Sequence, residues 1–189
     1  MLEQRIQQQF FESADLLYQV AENLSRPVAT AAQMMVESIT AGGRVFCAGL
    51  GTSAGDAGYL AALLAGRFEQ ERPGLAAIAL DGQAMAYGDT ASGLMRQIQT
   101  LGHPGDLLVL FEALPSGAAP ALLQVAHAQE MSVIALTGSQ DEDLRAALTE
   151  TDVQLRVPHS RGPRVAEAHR LLSHCLGDAV DLQLLGAGD

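Results

Sequence analysis

Residues 49–53, Gly-Leu-Gly-Thr-Ser, follow a short apolar run at Val45 to Ala48 and precede a helical pattern. A strand that feeds a helix through such a turn points free backbone N–H groups, together with the Thr52 and Ser53 hydroxyls, into one small space. That nest suits an anion, most often a phosphate. Gly49 and Gly51 permit close backbone approach, and Ser53 with Asp56 three residues on has capping-box spacing. The same pattern also describes a capped strand-to-helix junction with no ligand. Neither G-x-G-x-x-G nor Gly-Lys-Ser/Thr is present, so no dinucleotide or nucleoside triphosphate fingerprint is met.

The elements that hold this turn are legible in outline. Apolar runs at residues 44–48, 76–80, 106–111, 132–136 and 153–157 alternate with helical or loop segments. That alternation predicts an α/β fold, a parallel sheet with helices on both faces. Residues 164–185 read as a closing helix with Leu172, Leu176, Ala179 and Leu182 on one side. Ahead of the first strand, Phe10, Ala14, Leu17, Ala21 and Leu24 recur at helical spacing up to Ser25-Arg26-Pro27, and a second helix runs to Ala41-Gly42-Gly43. The expectation is an N-terminal helical hairpin over residues 1–43, used in oligomerisation, within a single domain over residues 1–189.

Composition narrows the function classes. Eleven basic against 22 acidic residues leave a formal charge of −11 in 189 residues, which opposes direct contact with nucleic acid or an anionic membrane. The start has charge and Gln where a secretory apolar region would lie, and no stretch has the length of a membrane span, so a cytoplasmic location is expected. Cys47 and Cys175 are far apart with no C-x-x-C, which predicts reduced core cysteines and no zinc knuckle.

Longer stretches carry a resemblance: G-x-G-T-S-A after a strand, GRFEQERPGLAAIAL at residues 66–80, LGHPGDLLV at 101–109, LTG at 136–138, and VPHSRGPRVAEAHRLLSHCLGD at 157–178. Together, and in this order, they resemble the SIS family of phosphosugar-binding domains, in the branch that holds the bacterial sedoheptulose-7-phosphate isomerases and the DnaA initiator-associating protein DiaA. The resemblance implies a three-layer αβα domain with a five-stranded parallel sheet, a homotetramer or dimer of dimers, and ligand sites between subunits.

It also sets expectations for the site. The isomerases place His and Glu on the helix after the turn and Gln and His on the last helix, for metal binding and acid–base chemistry. The matching positions are Tyr59, Leu63, Ala166 and His174, so His174 is the one retained catalytic candidate and no metal or other cofactor, zinc included, is expected. Isomerisation needs a base and an acid, which Leu63 and Ala166 cannot supply. The family's second phosphate turn, S-T-S-G-N-S, matches Glu112 to Gly117, leaving Gly51, Thr52, Ser53 and Ser116 as ligand-binding candidates, with Glu112 repelling a phosphate. The loop between Asp81 and Gln97 is shorter than in the isomerases. The opening LEQRIQQQFFESA and the ending CLGDAVDLQLL look like DiaA, which implies a non-catalytic adaptor with the DnaA initiator as partner and Leu182, Leu184 and Leu185 as anchors. A phosphoheptose isomerase, or a regulatory module that binds a sugar phosphate, is the alternative. Arg164, Glu167 and His169 read as a polar network, Arg67, Glu71 and Arg72 as a solvated helix end, and Asp141 to Asp143 as an exposed acidic helix start.

Overall fold

A computed structural model describes residues 1–82 and 88–186. The chain runs α1 (Leu2–Thr40), β1 (Val45–Gly49), a single 3₁₀ turn (Gly51–Ser53), α2 (Ala54–Ala65), β2 (Ala77–Ala79), α3 (Thr90–Leu101), β3 (Leu107–Glu112), α4 (Ala119–Ala128), β4 (Ser132–Thr137), α5 (Glu142–Ala147), β5 (Val153–Arg156) and α6 (Gly162–Leu185). All five strands pair in parallel in the order β2-β1-β3-β4-β5. This is the expected α/β fold with a five-stranded parallel sheet. β1 and β3 are buried along their whole length, as strands covered on both faces must be.

Two apolar cores flank the sheet. One gathers α1, α2 and α6 around Val45, Val109 and Phe111; the other gathers α3, α4 and α5 around Phe46, Leu108 and Leu110. Alternate residues of β1 and β3 therefore enter opposite layers. The chain leaves β1 toward one face and β3 toward the other, so the sheet reverses its winding between these two neighbours. In such sheets the crevice beyond the carboxyl ends of the strands at the reversal is where ligands bind. The turn after β1 and the loop after β3 both lie there.

The N-terminal region departs from the expected hairpin. α1 is one helix of 39 residues that runs straight through Pro27. Proline in a helix removes one backbone hydrogen bond and costs about 3 kcal/mol. The buried residues Leu16, Val20, Leu24, Val28, Ala31, Ala32 and Met35 continue at three- and four-residue spacing across it and pack on α6 and the sheet, which offsets that cost. The apolar stripe is also rotated from the expected one: Phe10 is 72% exposed, and Phe11 and Tyr18 are exposed beside it. No helix among the described residues is long and apolar enough to cross a membrane.

Candidate active site

The turn after β1 is built as a concave backbone. Gly51 has φ +57°, and Gly49 is required by sterics, because a Cβ there would stand 2.2 Å from the Ser53 carbonyl oxygen. Gly51 and Thr52 face solvent, whereas Ser53 is buried. Ser53 does not cap α2 as its spacing suggested. Its Oγ accepts a hydrogen bond from the Ala113 backbone N–H at 3.0 Å, and the Leu50 N–H donates to the Phe111 carbonyl at 3.0 Å. The turn is thus laced to the end of β3. Asp56, the other half of the expected capping box, lies 3.0 Å from the Arg170 guanidinium on α6. Burial raises the Asp56 pKa, and Arg170 opposes that shift.

The second turn is closed from within. Glu112 is buried at the end of β3, and its Oε1 accepts hydrogen bonds from the Ser116 backbone N–H at 2.9 Å and the Ser116 hydroxyl at 2.7 Å. Ser116 Oγ also accepts from the Ala118 N–H at 3.3 Å. Gly51, Thr52, Ser53 and Ser116 therefore meet at one end of the sheet, but only Gly51 and Thr52 present themselves to solvent with their groups uncommitted to Glu112 or β3.

Further along α2, Tyr59 faces His174 of α6. Tyr59 Oη and His174 Nε2 are 2.7 Å apart, and the rings meet edge to face with centroids 5.5 Å apart. Phe68 stacks on the other side of His174 at 5.6 Å, and the Arg170 guanidinium lies 3.8 Å over the Tyr59 ring. All four are half-buried, leaving an open side. His174, the catalytic candidate of the sequence, thus has a partner in Tyr59, a position the sequence alone marks only as a lost ligand. The signal was the i, i+3 spacing of Asp56 and Tyr59, which puts both on the α6 side of α2.

A metal does not fit this arrangement. Among the described residues no three His, Cys, Asp or Glu side chains converge as a metal-binding group. Leu63, which packs near Gly177, has no lone pair to offer, and Tyr59 and His174 by themselves supply at most two donors.

Other expected sites resolve differently. Glu167 accepts from Ser13 Oγ at 2.8 Å and pairs with Arg164 at 2.7 Å, tying α6 to α1. His169 is wholly buried, edge to face with Phe111, and burial pushes its pKa down to about 4. Arg67 and Glu71 form an exposed ion pair, but Arg72 is not part of a solvated helix end. Its side chain is buried, pairs with Asp181 at 2.5 Å and donates to the carbonyls of Leu63, Leu64 and Gly66, closing the end of α2. Asp141 is likewise buried, held by Thr137 at 2.9 Å and Arg156 at 2.9 Å, while Glu142 and Asp143 are exposed. Leu182 and Leu185 are exposed, whereas Leu184 packs against the core and is not a surface anchor. Residues 83–87 of the loop judged short, and the tail beyond Gly186, lie outside the described residues.

Comparison with known proteins follows the same lines. The model of the SIS domain matches residues 9–138. The phosphoheptose isomerase of Methylibium petroleiphilum is 51% identical over 100% of this chain and 98% of its own. The structure of phosphoheptose isomerase GmhA from Neisseria gonorrhoeae superimposes with TM-score 0.87 at 32% identity, covering 96% of this chain and 99% of that one. That of a phosphoheptose isomerase from Francisella tularensis gives TM-score 0.89 at 32% identity, covering 96% and 98%. These relatives correct the expectation of a non-catalytic DnaA adaptor: the similarity runs end to end with proteins named for the isomerase. The chain belongs to the SIS-domain family and, within it, to the phosphoheptose isomerase branch.

Proposed function

We propose that this chain is a sugar-phosphate isomerase acting on sedoheptulose 7-phosphate, with Tyr59 and His174 as its proton-transfer pair. The observation that carries the reading is the 2.7 Å Tyr59–His174 hydrogen bond beside the phosphate-type turn. Aldose–ketose isomerisation moves a proton between adjacent carbons and needs a base and an acid within hydrogen-bond reach of each other's substrate atoms. The His174 imidazole takes the proton from the carbon beside the carbonyl while the Tyr59 hydroxyl donates to the carbonyl oxygen, giving an enediol. His174 then returns its proton to the neighbouring carbon while the other enediol hydroxyl gives its proton to the Tyr59 phenolate, which forms the new carbonyl and restores both residues.

Spacing supports the assignment. Tyr59 lies six residues beyond Ser53, about 9 Å along the helix axis, comparable with an extended seven-carbon chain carrying its phosphate at one end. The phosphate would sit on the Gly51-Thr52 backbone, and the carbonyl end would reach the Tyr59–His174 pair. Arg170 and Asp56 position the phenol ring, and Phe68 fixes the imidazole plane. The relatives named phosphoheptose isomerase support the substrate class. The residues present hold no metal in this scheme, and no step passes through one.

The open side of the pair and the exposed Ile6, Phe10, Phe11 and Tyr18 of α1 support a homotetramer whose neighbouring subunit covers the site. A cytoplasmic location belongs to the same reading. Incubation with sedoheptulose 7-phosphate, followed by NMR of the sugar, tests it: appearance of the aldose isomer is expected, and an unchanged spectrum at high enzyme concentration would overturn it.

A further inference from the structure

We propose that Glu112 is a built-in occupant of the second phosphate turn, a specificity-determining residue that competes with the ligand's phosphate for Ser116. The inference rests on the sugar-phosphate reading above and concerns the anion end of that site. Two turns lie together at the sheet's reversal: Gly51-Thr52-Ser53 after β1 and Glu112 to Gly117 after β3. They are held edge to edge by the Ala113 N–H to Ser53 Oγ hydrogen bond. An anion bridging both would take donors from each.

The carboxylate of Glu112 already does so on one side. It is 4% exposed, and a single oxygen, Oε1, receives both donors that Ser116 can offer. Ser116 Oγ also accepts from the Ala118 N–H, and with its N–H and O–H both given to Glu112 the residue has no donor left for a phosphate. A carboxylate matches one edge of a phosphate in charge and acceptor geometry, and charge-assisted hydrogen bonds of this kind are stronger than neutral ones. Incoming phosphate must therefore displace Glu112 from Ser116 against like-charge repulsion, or bind to the first turn alone. The cavity of about 200 Å³ that Glu112 lines with Asp141, Glu142 and Asp143 has no Lys or Arg in its lining, and Arg156, which reaches Asp141, is already paired with it. Binding to the first turn alone is the outcome the geometry favours.

Calorimetric titration with inorganic phosphate, on the full chain and on Glu112→Gln, tests this directly. Glutamine keeps an acceptor for both Ser116 donors but lacks the charge that repels phosphate. At least tenfold tighter phosphate binding is expected, and an unchanged or weaker Kd, or no binding by either protein, would overturn the proposal. A second measurement needs no variant. In ¹⁵N-labelled wild type, phosphate is expected to shift the Thr52 amide at concentrations that leave the Ser116 amide unmoved; both moving together would overturn it. Sedoheptulose 7-phosphate turnover followed in the same preparations separates the two claims. Tighter phosphate binding without turnover sinks the isomerase reading and keeps the role of Glu112, whereas turnover with an unchanged Kd does the reverse.

Discussion

Tyr59 Oη and His174 Nε2 stand 2.7 Å apart across the contact between α2 and α6, joining the helix that starts at the phosphate-type turn to the closing helix of the fold. Two groups able to move protons are thereby paired. Tyr59→Phe keeps the ring contacts and removes only the hydroxyl. It is expected to lower kcat by about 10²-fold or more, with KM changed little, and His174→Ala by a similar factor. Steady-state kinetics with sedoheptulose 7-phosphate check the split.

The turn itself separates two kinds of glycine. Gly51→Ala adds a methyl into open space at positive φ and is expected to cost about 1–2 kcal/mol. Gly49→Ala drives Cβ into the Ser53 carbonyl and is expected to cost about 3 kcal/mol, with the turn displaced. Urea unfolding of the two variants checks the order.

Arg72 and Asp181 form a buried pair whose other carboxylate oxygen, Asp181 Oδ2, has no hydrogen-bond partner among the described residues. Arg72→Ala strands that charge and takes the guanidinium from the Leu63 and Gly66 carbonyls at the end of α2, at an expected cost of about 3–5 kcal/mol. Replacing both residues by apolar ones, Arg72→Met with Asp181→Leu, is expected to recover much of the loss. Chemical denaturation of the single and double variants reads this out.

His169 predicts a pH dependence of stability. Burial keeps the imidazole neutral, lowering its pKa from 6.5 to about 4, and its Nδ1 has no partner among the described residues. As the pH falls, the unfolded chain takes up this proton first. The contribution is complete above pH 6.5 and is lost as the pH falls from 6.5 through 4. Between neutral pH and about pH 5, wild type is expected to lose on the order of 2 kcal/mol more than His169→Leu. Denaturation at the two pH values measures the difference.

Self-association is the remaining expectation. Light scattering is expected to give four times the 19.8 kDa chain mass, and Phe11→Glu, on the exposed side of α1, to shift it toward smaller species.

Much of the fold is legible in the sequence. Alternating apolar runs marked all five strands within a residue or two, because parallel strands buried on both faces read as continuous hydrophobic segments. Pro27 misled for a physical reason: a local rule that ends helices was overridden by the long-range packing of Val20, Leu24 and Val28. Arg72 and Asp141 read as surface charges because their partners, Asp181 and Arg156, come from distant or differently oriented elements. The site shows the same limit. Tyr59 looked like the loss of a ligand until α6 brought His174 against it, and Glu112 looked merely repulsive until its bond to Ser116 showed what it occupies.

The most direct test of the isomerase claim is proton exchange at the substrate carbon. Sedoheptulose 7-phosphate incubated with the chain in D₂O is predicted to take up deuterium beside the carbonyl, and to do so far more slowly with Tyr59→Phe or His174→Ala. Deuterium uptake no faster than in protein-free buffer, or uptake unaffected by either substitution, would contradict the account.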